Sequence, residues 1–210
     1  SCDTALTSNS NTGTDYAKAI GICRTTTETP ATKKDKTWGL ISADILRVDG
    51  SPLGDQRAKS IRTKFGNLIT ALEGSSMAVI SSGIASDETQ ANPGPNGGGA
   101  GANVSTSHTP GSNVNVATGG TAQSIKDWFA LPNPPVKAAN AYPDSPGCTG
   151  TGGDGTANDS VMIVLRLRAP TNARAFSINS YFFSSEYPEY VCTSFNDQFL
   201  MLVNTPAGTP

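Results

Sequence analysis

The chain has 210 residues, of which 36% are hydrophobic and 15% charged, and its formal net charge is −2. That charge gives no electrostatic attraction for nucleic acid or an anionic membrane, and no run approaches the roughly 20 apolar residues of a membrane span. The 22 glycines and 14 prolines are typical of a chain with many turns and short strands. We therefore expect a single β domain over residues 1–210.

The cysteines indicate an oxidising compartment. None of the four lies in a C-x-x-C pair and the chain has one histidine, so a zinc ribbon, a thioredoxin-type site and a transition-metal site are all disfavoured. Three pairings of four cysteines are possible. We favour the pairing in which each bond joins neighbours along the chain, Cys2–Cys23 and Cys148–Cys192. Two such disulfides predict a secreted or cell-surface protein.

The N-terminal part of the chain predicts a helix followed by strands. Residues 15–23 carry apolar side chains at helical spacing, with Thr14 or Asp15 as the N-cap. Residues 38–48 and 76–81 are apolar runs bounded by turn residues, which predicts two strands. The segment 56–72 fits a helical turn or a strand equally well.

Residues 91–121 form a low-complexity excursion of Gly, Asn, Ser, Thr and Pro. Such a segment buries too little apolar surface to offset its ordering entropy, so it is expected to be a long loop. Strand patterns return at 161–168, 176–183 and 199–203, without a helical pattern of useful length between them. We therefore expect a mainly β fold, an antiparallel β-sandwich that is jelly-roll-like.

The loop 184–197 carries the most distinctive chemistry. Most of the loop belongs to the run Ser185-Glu-Tyr-Pro-Glu-Tyr-Val-Cys-Thr-Ser-Phe-Asn-Asp-Gln-Phe199. This run resembles the signature of the choice-of-anchor L domain of bacterial surface and secreted proteins. Segments elsewhere resemble its myxobacterial-type members: 17–27, 37–43, 49–53 and 168–173. The resemblance implies a location at the cell surface more than an activity. Family members continue beyond the equivalent of residue 210, so we expect the C-terminal part of the domain to be missing, and Ser1 to be a processed start.

A calcium site is the sharpest hypothesis for this loop, because Ca²⁺ takes carboxylate, amide and carbonyl oxygens. The candidate ligands are Glu186, Glu189, Asn196, Asp197 and, from the start of a preceding strand, Asp159. The alternative is that Asn196 and Asp197 cap a turn while the glutamates are solvated or pair with Arg166 and Arg168. No other cofactor is expected.

Sugar binding is a second hypothesis for the aromatic side chains. Stacking on sugar rings is expected of Tyr187, Tyr190 and Trp128, with Tyr181 beside them; the alternative is that these aromatics belong to the core. Catalysis is disfavoured, because His108 lies in the Gly-rich excursion, where nothing promises the rigid placement that a catalytic triad needs. Glu186 and Glu189 lie on one loop rather than on opposed sides of a substrate.

The sequence thus predicts no enzyme and no catalytic residue. It predicts a non-enzymatic extracellular adhesion or structural module of a bacterial cell surface. The alternatives are a subunit of a self-assembling filament or appendage and a calcium-dependent carbohydrate-binding module. The expected partners are other cell-surface or matrix components, or copies of the chain itself, and not nucleic acid; no membrane insertion is expected.

Overall fold

The computed structural model describes residues 1–47, 50–53, 56–65, 69–82, 85, 114–115, 147–149, 156–157, 160–184, 188, 190–193, 197 and 199–203. Within these segments the chain is mainly β, with one α-helix and eight strands. The elements are α1 (Gly13–Ala19), β1 (Gly39–Leu46), β2 (Lys59–Arg62), β3 (Lys64–Phe65), β4 (Ile69–Thr70), β5 (Met77–Ile80), β6 (Val114–Asn115), β7 (Thr156–Ala157) and β8 (Met162–Arg168). Single 3-10 turns lie at Lys33–Asp35 and Gln56–Ala58.

The helix α1 begins earlier than the sequence predicts. Its N-cap is Thr12, in an extended conformation, and neither Thr14 nor Asp15 is the cap. Asp15 lies in the first turn and Lys18 in the last, where each charge opposes the helix dipole, and the two form an ion pair of 3.1 Å. The helix can start at Gly13 because that residue lies against the backbone carbonyl of Ala43 in β1, where a Cβ would clash.

The helix also ends earlier than the sequence predicts, at Ala19 rather than Cys23. Gly21 has a φ of +88°, a left-handed conformation that favours glycine. The Gly21 amide donates to the carbonyl of Lys18 and the Ile22 amide donates to that of Ala17, each at 2.9 Å. This pair of bonds is the Schellman motif, which satisfies the last carbonyls of the helix and turns the chain away.

The strand predictions of the first eighty residues are confirmed. β1 lies within the predicted 38–48 strand and β5 within 76–81, and the ambiguous segment 56–72 contains one 3-10 turn followed by β2, β3 and β4. All four ladders of the described residues are antiparallel pairs: β1–β8, β2–β5, β3–β4 and β6–β7. The antiparallel pairing agrees with the prediction from the sequence. Each described sheet has two strands.

The longest ladder joins β1 to β8, with Gly39 opposite Arg168 and Leu46 opposite Met162. The register shifts between Leu40 and Ser42, so β1 is irregular there. The predicted strand at 161–168 is thereby confirmed, and so is its polar C-terminal end.

The core of the described residues lies between α1 and the sheets. Tyr16, Ala19 and Ile61 form its buried cluster, and Leu6 and Ile45 pack against it. All four residues of β2 are buried although the strand reads Lys-Ser-Ile-Arg, so this core contains charged and hydroxyl groups beside its apolar ones.

Both predicted disulfides are present: Cys2–Cys23 and Cys148–Cys192. The first joins the start of the chain to the residues after α1, and the second joins the Gly-rich segment before β7 to the loop 184–197. The disulfide-bonded state is compatible with the predicted extracellular location.

Two C-terminal strand predictions are not confirmed. Residues 173–184 and 199–203 lie outside helix and strand, and most of their large apolar side chains are exposed. Their alternating pattern requires a ladder partner to become a strand, and within the described segments neither stretch has one. Of the 91–121 excursion, the described part is β6, which pairs with β7; the remainder lies outside the described residues.

Among the residues that the structure describes, no helix has the length and apolar character needed to cross a membrane.

Candidate functional site

The loop 184–197 is closed at its neck. The Ser184 hydroxyl donates to the Asp197 carboxylate over 2.8 Å, which joins the first and last residues of the loop. Between them the Thr193 amide donates to the Tyr190 carbonyl over 3.1 Å and the Thr193 hydroxyl to the same carbonyl over 2.8 Å. Residues 190–193 therefore form a tight turn, and the disulfide from Cys192 anchors this turn to Cys148.

Cys192 adopts a left-handed conformation, with a φ of +62°. A residue with a Cβ rarely takes this conformation, so the turn and the disulfide together hold the backbone there. The structure thus makes Cys192 the point at which the loop is both bent and covalently tied.

One of the candidate calcium ligands lies within the described residues. Asp197 is half-buried, and its carboxylate accepts a hydrogen bond from the Ser184 hydroxyl. The other candidate ligands, Glu186, Glu189, Asn196 and Asp159, lie outside the described residues. Within the described segments, no three acidic, histidine or cysteine side chains converge on a point that would hold a metal ion.

The two arginines of β8 contact residues 27 and 28, whereas the sequence suggested the glutamates of the loop 184–197 as their partners. Arg166 forms an ion pair with Glu28. Arg168 donates to the backbone carbonyls of Thr27 and Glu28, over 2.8 and 2.6 Å. These contacts fasten the loop before β1 to the polar end of β8.

The described aromatic candidates are on the surface. Tyr190 is 48% exposed, and Tyr181 is exposed as well, so neither is a core residue as the alternative interpretation had it. Tyr187 and Trp128 lie outside the described residues. An exposed tyrosine offers a ring face and a hydroxyl to a ligand, which is the chemistry that sugar binding requires.

Tyr190 and Tyr181 belong to a larger exposed apolar set. We call its members the exposed aromatic segments: Phe176, Ile178, Tyr181, Phe182, Phe183, Tyr190, Val191, Phe199, Met201 and Leu202. Phe183 stacks on Phe65 of β3, with ring centroids 5.0 Å apart. The rings of Phe182 and Phe199 are tilted relative to each other, with centroids 6.5 Å apart. Isolated exposed apolar residues are ordinary on protein surfaces, whereas this set is larger and includes paired rings.

A second cluster, which the sequence did not indicate, lies beneath α1. Lys59 is 3% exposed, and its ammonium donates to the carbonyl of Ser10 over 2.6 Å and to Oδ1 of Asn11 over 3.1 Å. The same ammonium lies 5.3 Å from the ring centroid of Tyr16. Burial lowers the pKa of Lys59, so its neutral amine is more accessible than that of a surface lysine.

The carboxylate of Asp15 takes part in the same cluster. It accepts the Ser10 hydroxyl over 2.7 Å and the Lys18 ammonium over 3.1 Å. The hydrogen bond from Ser10 lowers the pKa of Asp15, burial opposes that shift, and Lys18 adds to it. Burial, helped by the charge of Asp15, raises the pKa of Tyr16. No signal in the sequence marks this cluster, because Lys59 lies within the segment 56–72, which fits a helical turn or a strand equally well.

No family model matches the chain, and neither the curated proteins nor the solved structures contain a significant match to it. The resemblance to the choice-of-anchor L domain therefore rests on the sequence motifs alone and stays a prediction.

Proposed function

We propose that this chain is a non-enzymatic, extracellular adhesion or structural module of a bacterial cell surface, of the choice-of-anchor L type and with a sandwich of antiparallel sheets. The observation that carries the proposal is the set of exposed aromatic segments. Two disulfides support the extracellular part of it, because such bonds persist in oxidising compartments.

The aromatic segments have the properties of a binding surface. Phe183 is held in place by its stacking on Phe65, so the segment beside it is fixed at one point. Phe176 remains 65% exposed and Phe182 is also more than half exposed. Aromatic side chains bury large areas with little loss of side-chain entropy, which is why they are enriched in protein interfaces.

The test is a binding measurement with isolated bacterial cell envelopes as the probe. The double variant Phe182→Ser, Phe199→Ser removes one ring pair and is expected to lower retention on the envelopes at least about tenfold, since interface aromatics are commonly dominant contributors. The matched control is Leu72→Ser, because Leu72 is 62% exposed and lies outside the aromatic segments. Equal retention of the wild type and the double variant would contradict the proposal.

A self-assembling subunit is the second candidate function. The observation that favours it is the coexistence of two-stranded sheets with β-patterned stretches at 176–183 and 199–203 that lack a ladder among the described residues. Open strand edges and unpaired strand-like segments are the two halves of strand addition. Electron microscopy of concentrated protein distinguishes this candidate from the first: regular polymers support it, and a monomer at every concentration contradicts it.

Calcium-dependent sugar binding is favoured only by the loop 184–197, where the Asp197 carboxylate lies at the neck and Tyr190 is exposed. Titration of the chelated protein with CaCl₂ alone tests the metal part, with thermal stability as the readout. A melting temperature that does not change between EDTA and CaCl₂ would count against a structural ion.

A further inference from the structure

The buried amine of Lys59 faces a side-chain amide. Lys59 is the first residue of β2, and its Nζ is within 3.1 Å of the Asn11 amide oxygen. The hydrogen bond to the Ser10 carbonyl and the ring of Tyr16 hold the amine on the other sides. The amine is therefore fixed beside one particular carboxamide by groups that leave it little room to move.

The surroundings of Lys59 favour an uncharged, nucleophilic amine. Among the residues that the structure describes, no carboxylate forms an ion pair with its Nζ; the Asp15 carboxylate accepts from Ser10 and Lys18 instead. A buried ammonium without a carboxylate loses its hydration and gains no ion pair in return. Desolvation of this kind is one of the ways in which proteins make a lysine reactive.

We propose that Lys59 and Asn11 join in an intramolecular isopeptide bond. The lone pair of the neutral Nζ attacks Cγ of Asn11, the Nζ–Cγ bond forms and the Cγ–Nδ2 bond breaks. One of the two protons on Nζ stays on the new amide and the other leaves with Nδ2 as ammonia. The reaction converts one amide into another, so it needs no oxidant, reductant or bound cofactor.

The positions of the two partners suit this exchange. Folding brings them together although they are 48 residues apart in sequence, and holding two reactants in contact replaces a bimolecular encounter with an intramolecular one. Asn11 is an exposed residue while Lys59 is buried. The amine is thus shielded from water, whereas the ammonia that leaves Asn11 has a path to solvent.

The bond would add a third covalent link to the chain. It would tie the segment before α1 to β2, whereas the Cys2–Cys23 disulfide ties the start of the chain to the residues after α1. Unlike that disulfide it would survive reduction, which suits a protein that works outside the cell. The inference is independent of the proposed function, because it concerns the N-terminal cluster and not the exposed aromatic segments.

The test is mass spectrometry of the folded full-length protein after reduction and denaturation. We expect an intact mass that is lower than the sequence mass by one ammonia. Trypsin should release a branched peptide in which residues 1–18 are joined through Asn11 to residues 58–62, with Lys59 uncut. Recovery of the unmodified 1–18 peptide together with cleavage after Lys59, at the full sequence mass, would overturn the proposal.

Three variants separate this bond from other losses of ammonia, such as cyclisation at the Asn96-Gly97 sequence. Lys59→Arg and Asn11→Ala must each restore the mass expected for an uncrosslinked chain. Asn11→Asp must lose water in place of ammonia, because the leaving group is then a hydroxyl. An ammonia deficit that persists in Lys59→Arg would assign the loss elsewhere and contradict the isopeptide bond. If Lys59→Arg fails to fold, the branched peptide of the wild type still decides the question.

Discussion

Among the described residues, the N-terminal region contains a fully buried aromatic side chain, whereas every aromatic side chain of the C-terminal region is exposed. In the N-terminal region, residues 1–85, Tyr16 is fully buried between α1 and the sheets. In the C-terminal region, residues 160–203, Phe176 is 65% exposed and most of its apolar neighbours resemble it. One disulfide lies within the N-terminal region, and the other ties Cys192 of the C-terminal region to Cys148, which precedes that region in the chain. A crosslink therefore does not by itself produce a core; packing against a helix or a paired strand does.

The regions also differ in how they treat polar groups. The N-terminal region buries Lys59, Ser60 and Arg62 in one strand, and buried polar groups destabilise unless they are hydrogen-bonded. The C-terminal region keeps its polar contacts at the surface, as in the bond between Ser184 and Asp197. We infer that stability is concentrated in the N-terminal region and that the C-terminal region is available for contact with other molecules.

The largest expected effect is that of Tyr16→Ala. The substitution removes a fully buried ring that also lies against the Lys59 ammonium, so we expect the free energy of unfolding to fall by about 3–5 kcal/mol. Phe176→Ala, in the C-terminal region, is expected to change it by no more than about 0.5 kcal/mol. Urea unfolding followed by tryptophan fluorescence measures both. Similar losses in the two variants would show that the two regions are equally packed.

The second comparison removes the disulfides one at a time. Replacing Cys2 and Cys23 by serine opens a link with a sequence separation of 21, and replacing Cys148 and Cys192 opens one of 44. Loop entropy alone predicts losses of about 3 and about 4 kcal/mol, respectively. We expect the opposite order in the measured free energy of unfolding, with the larger loss for Cys2–Cys23. The C-terminal region has exposed apolar side chains, so it can open locally without unfolding the core.

The readout for this pair is chemical unfolding together with amide hydrogen exchange. Exchange should rise across α1 when the first bond is absent and only near residues 190–193 when the second is absent. A global loss near 4 kcal/mol for the second variant would mean that the two regions unfold as one cooperative unit.

The disulfides also show what the sequence could predict. Their pairing was favoured by the positions of the cysteines along the chain, β1 and β5 followed from apolar runs bounded by turn residues, and β8 followed from an alternating pattern. These features depend on local patterns, which a single sequence displays. The helix α1 was recognised as a helix, but its ends were not, because they depend on Gly13 lying against β1 and on the left-handed Gly21.

Features that depend on distant partners could not be predicted. The alternation at 176–183 has the period of a strand, yet the pattern cannot state whether a ladder partner exists. The contact between Lys59 and Asn11 joins residues that no local rule connects. The disulfide that ties the loop 184–197 was predicted correctly, whereas all of its candidate calcium ligands, Asp197 included, stay predictions.

A smaller effect is expected for the pH dependence of the N-terminal region. Burial raises the pKa of Asp3, but the amides of Ser75 and Ser76 and the Ser76 hydroxyl all donate to its carboxylate and lower the pKa below 3.8 overall. The ionised form is therefore favoured by folding. Its contribution is present above the ordinary pKa and is lost as the pH falls through the lower, folded-state value.

Asp3→Asn tests this contribution. Urea unfolding from about pH 5 to about pH 2 should show a shallower decline of unfolding free energy in the variant than in the wild type. Part of the decline should persist, because the pKa of Asp15 is lowered as well, mainly by the Ser10 hydroxyl. Identical slopes in the two proteins would show that Asp3 does not contribute.

The smallest expected effect comes from the polar end of β8. Arg166 and Glu28 form an ion pair whose side chains are about half exposed, so Arg166→Ala is expected to cost less than about 1 kcal/mol and to lose its effect in high salt. Arg168→Ala removes two hydrogen bonds to the carbonyls of Thr27 and Glu28, and we expect a larger loss that salt does not abolish. Unfolding in low and in molar NaCl measures both. An Arg166 effect larger than the Arg168 effect would mean that charge, rather than backbone hydrogen bonding, fastens the 27–28 loop to the sheet.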